Sequence, residues 1–356
     1  MLTHEQRDNL INRAQGALLG LAIGDALGAP HETNTPKIEG NWANRLKGPI
    51  VDITGGGPRG FQAGDVTDDT QMMLVLARHI AERGGVHPGD LAKEYVEWLP
   101  HGVGVGGHIK LALQFAEKGS KQPGKDAWLE AGRGKQTNGS LMRTAAIGAL
   151  CATESVFTLV KMSLMDSAIT HYSPYCQLAC AAYNCALASL VRGSTGREAF
   201  VAAANGLMYG SNRLLDQEEP EDADYFKELV LEAGKYLFED LILSTQDNNR
   251  LDSYPNMQDA LHRGNVRVAF RLAFSEYNSG FPFRESLVDV VNRGGDTDTN
   301  GAIVGALLGA YYGAKSLPQD WKDKVLERFT TVNVQNPQQI EALVQNHYTR
   351  LATHRS

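Results

Sequence analysis

Apolar residues recur along this chain in steps of three and four, and stretches that alternate β-branched with polar residues are few. The first spacing lines one face of a helix, whereas the second would have marked strands. The pattern predicts helices over residues 72–82, 90–99, 109–117, 141–151, 155–169, 176–191, 198–207, 225–243, 266–278, 286–291, 302–314 and 319–329. An all-α fold of a dozen or more helices is therefore expected. Loops fall at "HETNTPKIEGNWANRLKGP", "TGGGPRGFQAGD", "GSKQPGKD" and "NRLLDQEEPEDAD". None is long or biased enough to separate domains, so one domain over residues 1–356 is expected. The acidic residues 217–224 read as a solvated loop or helix entry.

Two of the most apolar stretches share a second pattern. "GALLGLAIGDALG" carries Gly16, Gly20, Gly24 and Gly28, and "GAIVGALLGAYYG" carries Gly301, Gly305, Gly309 and Gly313. A glycine inside a helix costs about 1 kcal/mol relative to alanine, so each series needs a compensating reason. Spacing of four puts each series on one helical face, where another backbone can approach closely. Two central, buried helices packed on each other are expected. Asp25, within the first of them, is expected to serve a structural or supporting role.

Acidic residues cluster at the edges of these stretches. "NRGGDTDTNGA" opens the second glycine helix with Asp296 and Asp298, and "DVTDDTQMM" opens another apolar helix with Thr67, Asp68, Asp69 and Thr70. Thr and Asp are favoured helix caps, and acids suit a first helical turn. A cap needs only one side chain, however, and here paired aspartates flanked by threonines occur twice. Glu32 lies four residues past Gly28. If the glycine helices pack antiparallel, Glu32 faces Asp296 and Asp298, and Asp68 and Asp69 need only arrive from a third side. Those five carboxylates would carry −5, which two divalent cations reduce to −1. The donors are all oxygens, which selects hard ions such as Mg²⁺, Mn²⁺ or Ca²⁺ over zinc.

Composition narrows the alternatives. The net charge of −7 and the absence of any basic run give no footprint for nucleic acid. No apolar run reaches membrane-spanning length, and the first residues lack the apolar core of a secretory signal. Cys151, Cys176, Cys180 and Cys185 form no CxxC and read as buried, reduced thiols, with a cytoplasmic location as the expectation. His31-Glu32 does not continue into HExxH, because position 35 is Thr. "GVGVGG" (residues 102–107) matches GxGxxG but lacks both a preceding strand and a later acidic partner. It remains a candidate phosphate-cradling loop through its backbone N–H groups.

The blocks "GALLGLAIGDALGAPHE", "GDVTDDTQM", "TNGSLMRTAAIG", "ITHYS" and "NRGGDTDTNGAIVGALLGAYYG" resemble, in order, those of the ADP-ribosylglycohydrolase family. The run "TGGGPRGFQAGDVTDDT" is most similar to bacterial members that reactivate dinitrogenase reductase. The resemblance spans roughly residues 16–321 and implies a compact orthogonal multi-helix bundle with a binuclear Mg²⁺ or Mn²⁺ centre. It implies hydrolysis of ADP-ribose from a modified protein side chain, arginine foremost, serine or another linkage being open. Carried over, the metal ligands are Thr67, Asp68, Asp69, Asp296, Asp298 and Thr299, with Glu32 beside them as the catalytic carboxylate. Gly104, Gly106 and Gly107 correspond to the loop that wraps the diphosphate. Asn138, Gly139, Ser140 and Met142 would line the ribose side, and His171 the substrate pocket. Arginine-directed bacterial members read like DVGNT where Gly104 stands, a departure towards other linkages. The implied partner is an ADP-ribosylated protein, and neither nucleic acid nor a membrane is expected. The rival reading is an immunity protein that binds and neutralises a cognate ADP-ribosyltransferase, with or without catalysis.

Overall fold

The computed structural model describes residues 3–32, 42–216, 223–246, 263–328 and 339–354. Its helices are α1 His4–Gly28, α2 Trp42–Arg45, α3 Asp68–Arg83, α4 Pro88–Trp98, α5 Gly107–Glu117, α6 Pro123–Glu130, α7 Ala145–Leu150 and α8 Val156–Thr170. They continue with α9 Pro174–Val191, α10 Gly196–Leu215, α11 Ala223–Gln246, α12 Val266–Ser279, α13 Phe283–Asn292, α14 Thr297–Tyr312, α15 Gln319–Glu327 and α16 Ile340–His354. Among the described residues there is no strand, only two isolated bridges, Gly56 with Phe61 and Thr137 with Asn265. The protein is all-α, as the periodicity predicts. No helix among these residues is long and apolar enough to cross a membrane.

Three helices form the centre. Every residue of α9 is buried, as are α1 from Gly16 to Gly28 and α14 from Thr297 to Ala310. Helices apolar on all sides belong in a core, and the amphipathic α3, α4, α5, α12 and α13 pack around them. The four thiols are free and buried, and burial pushes those of Cys151, Cys180 and Cys185 up to about 12, which keeps them protonated.

The glycine series meet. A Cβ built on Gly16 would stand 2.2 Å from the carbonyl oxygen of Gly309, one on Gly20 2.2 Å from that of Gly305, and one on Gly24 1.9 Å from that of Gly301. The reversed order of partners makes α1 and α14 antiparallel. The last glycine of the second series, Gly313, closes this seam as the positive-φ stop of α14, its carbonyl carbon 2.8 Å from where a Cβ on Gly16 would be.

Several element limits differ from the periodic pattern. Residues 141–144 form turns, and only Ala145–Leu150 are helical. α10 continues past residue 207 to Leu215. The tail of "GSKQPGKD" begins α6, because proline suits a first helical turn. α14 starts at Thr297 rather than at residue 302, so its polar "TDTN" is the first turn and not a loop. α16 and the polar first half of α1 have no counterpart among the predicted helices. Most of "HETNTPKIEGN" and residues 217–222 of the acidic stretch lie outside the described residues.

Candidate active site

The seam delivers the acids. A Cβ on Gly28 would lie 2.2 Å from the Thr297 carbonyl oxygen, and the Thr297 hydroxyl donates to the Gly28 carbonyl at 2.8 Å. The end of α1 is thereby clamped to the start of α14. Upstream, the Asn292 side-chain amide donates to the carbonyls of Ile50 (2.6 Å) and Val288 (2.9 Å). Gly294 and Gly295 then turn the chain with φ of +76° and +81°, a region glycine enters freely. A short turn over Ala29–His31 carries Glu32 round from the other side. Glu32, Asp296 and Asp298 can each offer one oxygen within 4.8 Å of the others.

The third side is the start of α3. Its first N–H groups are capped from α1: Asp25 accepts from the Thr67 N–H (2.9 Å), the Thr67 hydroxyl (2.8 Å), the Thr70 N–H (3.2 Å) and the Thr70 hydroxyl (2.6 Å). Asp25 is fully buried and serves as the structural support expected of it. Because Asp25 caps α3, Asp68 and Asp69 are not spent on that task. Asp68 is tied to the loop 102–107 instead, its N–H donating to the Val103 carbonyl at 2.7 Å. At α14 likewise, Asp296 makes no side-chain cap. Asp298, however, accepts one first-turn N–H of α14, that of Thr299, at 2.9 Å.

Electrostatics follow from this crowding. Burial, then the charges of Asp25 and Asp296, pushes Asp68 up to about 7. Burial, then Asp25, Asp68 and Asp296, holds Asp69 well above the usual carboxylate range. Asp298 is raised well above it by burial and by Asp296, Asp69, Glu32 and Asp25. Asp296 rises by burial, partly offset by the Asn138 amide, which donates to it at 2.7 Å. Burial and Asp296 raise Glu32, with Arg59 and Arg263 opposing. The Asp69 Oδ1 is buried with no hydrogen-bond partner among the described residues. An orphaned carboxylate oxygen amid mutually repelling acids is the donor set a hard divalent cation satisfies.

The substrate-side residues lie in two segments. Gly104, Gly106 and Gly107 are exposed, and a Cβ at Gly106 or Gly107 would meet nothing, while the Gly106 backbone is engaged by Asp68 and by the Lys110 N–H. Residues 136–138 are fixed by Asn138 N–H donating to Gly264 (2.9 Å) and Val266 N–H donating to Gln136 (2.9 Å). Gly139 is packed against the His171 ring, and a Cβ there would lie 2.8 Å from Cε1. Ser140 and Met142 are buried, and the Ser140 hydroxyl accepts from Ser167 at 2.9 Å.

His171 is hydrogen-bonded on both ring nitrogens, to Thr170 (2.8 Å) and Thr137 (2.8 Å). The Thr170 hydroxyl also accepts from Arg143 at 2.8 Å. Burial, with His108 and Arg143 nearby, pushes the ring's pKa well below its usual value and keeps it neutral. Arg143 makes an internal ion pair with Asp166 at 3.2 Å, both fully buried.

Two residues near the site were not singled out in the sequence. His108, at the start of α5, sets its ring edge against His171 at 5.0 Å, and its Nε2 is buried without a partner among the described residues. Arg59 pairs with Glu32 at 3.3 Å. It is the one basic residue between Lys47 and Arg78, which was the available signal.

Fold and site together define an all-helical protein built around an oxygen-only acidic pocket. The chain belongs to the ADP-ribosylglycohydrolase family, which it matches over residues 6–356. It is 29% identical to the ADP-ribosyl-[dinitrogen reductase] glycohydrolase of Rhodospirillum rubrum, covering 88% of this chain and 90% of that one. It is 28% identical to the ADP-ribosylarginine hydrolase Tri1 of Pseudomonas putida, covering 91% and 76%. A solved structure described as an ADP-ribosylglycohydrolase-related protein complex superposes with a TM-score of 0.66 at 25% identity, over 96% of this chain and 99% of that chain.

Proposed function

We propose that this ADP-ribosyl hydrolase cleaves the bond between ribose C1 and a nitrogen or oxygen of a modified protein side chain, with two divalent cations, Mg²⁺ or Mn²⁺. The observation that carries the reading is the meeting of Glu32, Asp296 and Asp298, with Asp68 and Asp69 near enough for the charge of Asp296 to raise both. Thr67, Asp68, Asp69, Asp296, Asp298 and Thr299 would hold the cations. When bound, these would neutralise the carboxylates and supply electrophilic contacts for ribose hydroxyls.

The remaining chemistry belongs to the chain. Glu32 lies beside Asp296 and Asp298 with its side chain 27% exposed, so it can meet a water. It takes the proton of that water as the water oxygen bonds to C1 and the bond to the leaving atom breaks. The proton ends on the leaving nitrogen or oxygen, and an oxocarbenium-like transition state is stabilised between the acids. The loop at Gly104, Gly106 and Gly107 takes the diphosphate through its backbone, and Asn138, Gly139, Ser140, Met142 and His171 form the ribose wall. Neutral His171 suits that role, because a second cation there is not needed.

Similarity to Tri1 supports an arginine linkage; the positive charge of Arg59 at the mouth of the site argues differently. The test is release of ADP-ribose from modified protein with Mg²⁺ or Mn²⁺ and with EDTA. Metal-dependent release is expected. Release of phosphate instead, or release unaffected by EDTA, would overturn the proposal.

A further inference from the structure

The deep side of the acidic cluster is closed by protein: Thr67, Asp69 and Asp298 are all buried. Its outer side is bounded by Glu32, by the exposed Gly104 and by Arg59, whose side chain is 46% exposed. Arg59 is held there by a built turn. Gly56 and Phe61 exchange backbone hydrogen bonds at 2.6 and 2.9 Å, and the Gly60 N–H donates to Gly57 at 3.1 Å. Gly57, at φ +69°, presses the turn onto the chain just before Glu32, since a Cβ there would lie 2.1 Å from the Pro30 carbonyl oxygen. One guanidinium nitrogen of Arg59 reaches Glu32 Oε2 at 3.3 Å. Another lies 3.0 Å from where a Cβ on Gly104 would be, and Asp68 Oδ1 lies 3.1 Å from the same point. The guanidinium thus crosses the mouth from Glu32 towards the loop.

We propose that Arg59 sets the leaving-group preference of the site, selecting against arginine-linked ADP-ribose and for neutral oxygen-linked ADP-ribose such as the serine adduct. This rests on the hydrolase reading above. The body of a modified protein stays in solvent, so the side chain it presents reaches ribose C1 from the outer side, where Arg59 stands. A substrate guanidinium arriving there meets a like charge and must compete with Arg59 for Glu32. An ether oxygen brings no charge and can accept a hydrogen bond from the guanidinium. Gly104 completes the arrangement. At φ +84° it disfavours a side chain, and any Cβ there would crowd both Arg59 and Asp68.

The experiment uses the full chain with Mg²⁺, Arg59→Ala and Arg59→Lys, and peptides carrying ADP-ribose on arginine or on serine. Arg59 is half exposed in a surface turn, so both variants should fold. Arg59→Ala should raise the arginine-to-serine ratio of kcat/KM by about tenfold, the effect of one partly solvated like-charge contact. Arg59→Lys should stay near wild type, and calorimetry should find free ADP-ribose affinity unchanged in both. A ratio that does not move would overturn the assignment. So would a parallel fall of both activities together with ADP-ribose affinity, which would make Arg59 a phosphate ligand. Wild-type protein that neither binds ADP-ribose nor releases it from either peptide would instead sink the hydrolase reading, and the inference with it.

Discussion

Gly24→Ala places one methyl group in the seam between α1 and α14. Its Cβ would stand 1.9 Å from the Gly301 carbonyl oxygen and 2.3 Å from the carbonyl carbon, both backbone atoms that cannot rotate away. Restoring an ordinary contact of 3.4 Å requires the helices to part by about 1.5 Å, the difference between those two distances. Overpacking of this kind costs roughly 3 kcal/mol or more when the neighbour is rigid. Alanine returns about 1 kcal/mol of helix propensity, leaving a net loss of about 2 kcal/mol or more. The loss should not be confined to stability. Gly24 adjoins Asp25, and Gly301 sits three residues after Asp298, so parting the helices separates the acids from one another. Urea denaturation with calorimetric Mg²⁺ titration measures both effects. Gly89→Ala is the control: a Cβ there meets nothing within 4 Å, so the change should be neutral or slightly stabilising. A Gly24→Ala protein as stable as wild type, with unchanged Mg²⁺ affinity, would refute the claim that the glycine seam sets the site.

Glu32→Gln should abolish most turnover while leaving ADP-ribose affinity near wild type; weakened binding with turnover intact would remove Glu32 from its catalytic role. Neutralisation of a transferase toxin that survives Glu32→Gln would favour the occlusion alternative. Asp298→Asn should lower cation affinity in titration calorimetry before it alters the fold, and unchanged affinity would exclude it as a ligand. The site acids also predict a pH dependence. Their pKa values are raised in the fold, so without cations their contribution is full below the ordinary carboxylate value and is lost as pH rises, through about 7 for Asp68. For Asp68 alone the move from 3.8 to about 7 corresponds to about 4 kcal/mol in order of magnitude. The rise in Tm on adding Mg²⁺ to EDTA-treated protein should therefore be larger at about pH 8 than at about pH 5, and equal increments would speak against cation binding at these acids.

The helical class and the central pair were legible because their signals are local. Four-residue glycine spacing has a single geometric meaning on a helix, and the antiparallel contact of Gly20 with Gly305 realises it. The convergence of Glu32 with Asp296 and Asp298 followed from that contact. Helix limits were less legible where polar residues carry the helix. The "TDTN" turn of α14 is helical because it packs against Gly28, a partner far away in sequence. His108 and Arg59 were missed for a related reason. Neither belongs to an acidic or glycine pattern, and each gains its place through a contact from another segment, His108 through His171 and Arg59 through Glu32.

Asp25 shows how tightly the scaffold and the site are joined. It sits inside the glycine seam, one residue after Gly24, yet caps a different helix. Capping of α3 by its own Asp68 or Asp69 would have consumed one of the two acids at the pocket. By importing the cap from α1, the fold leaves both carboxylates to the pocket and fixes α3 against the helix that leads into Glu32. The burial that makes Asp25 an effective cap also raises its pKa, with the hydrogen bonds from Thr70 and Thr67 opposing the rise. Those four hydrogen bonds hold its carboxyl group beside the other acids, so the crowding of carboxyl groups is built into the packing of α1 on α3 and α14.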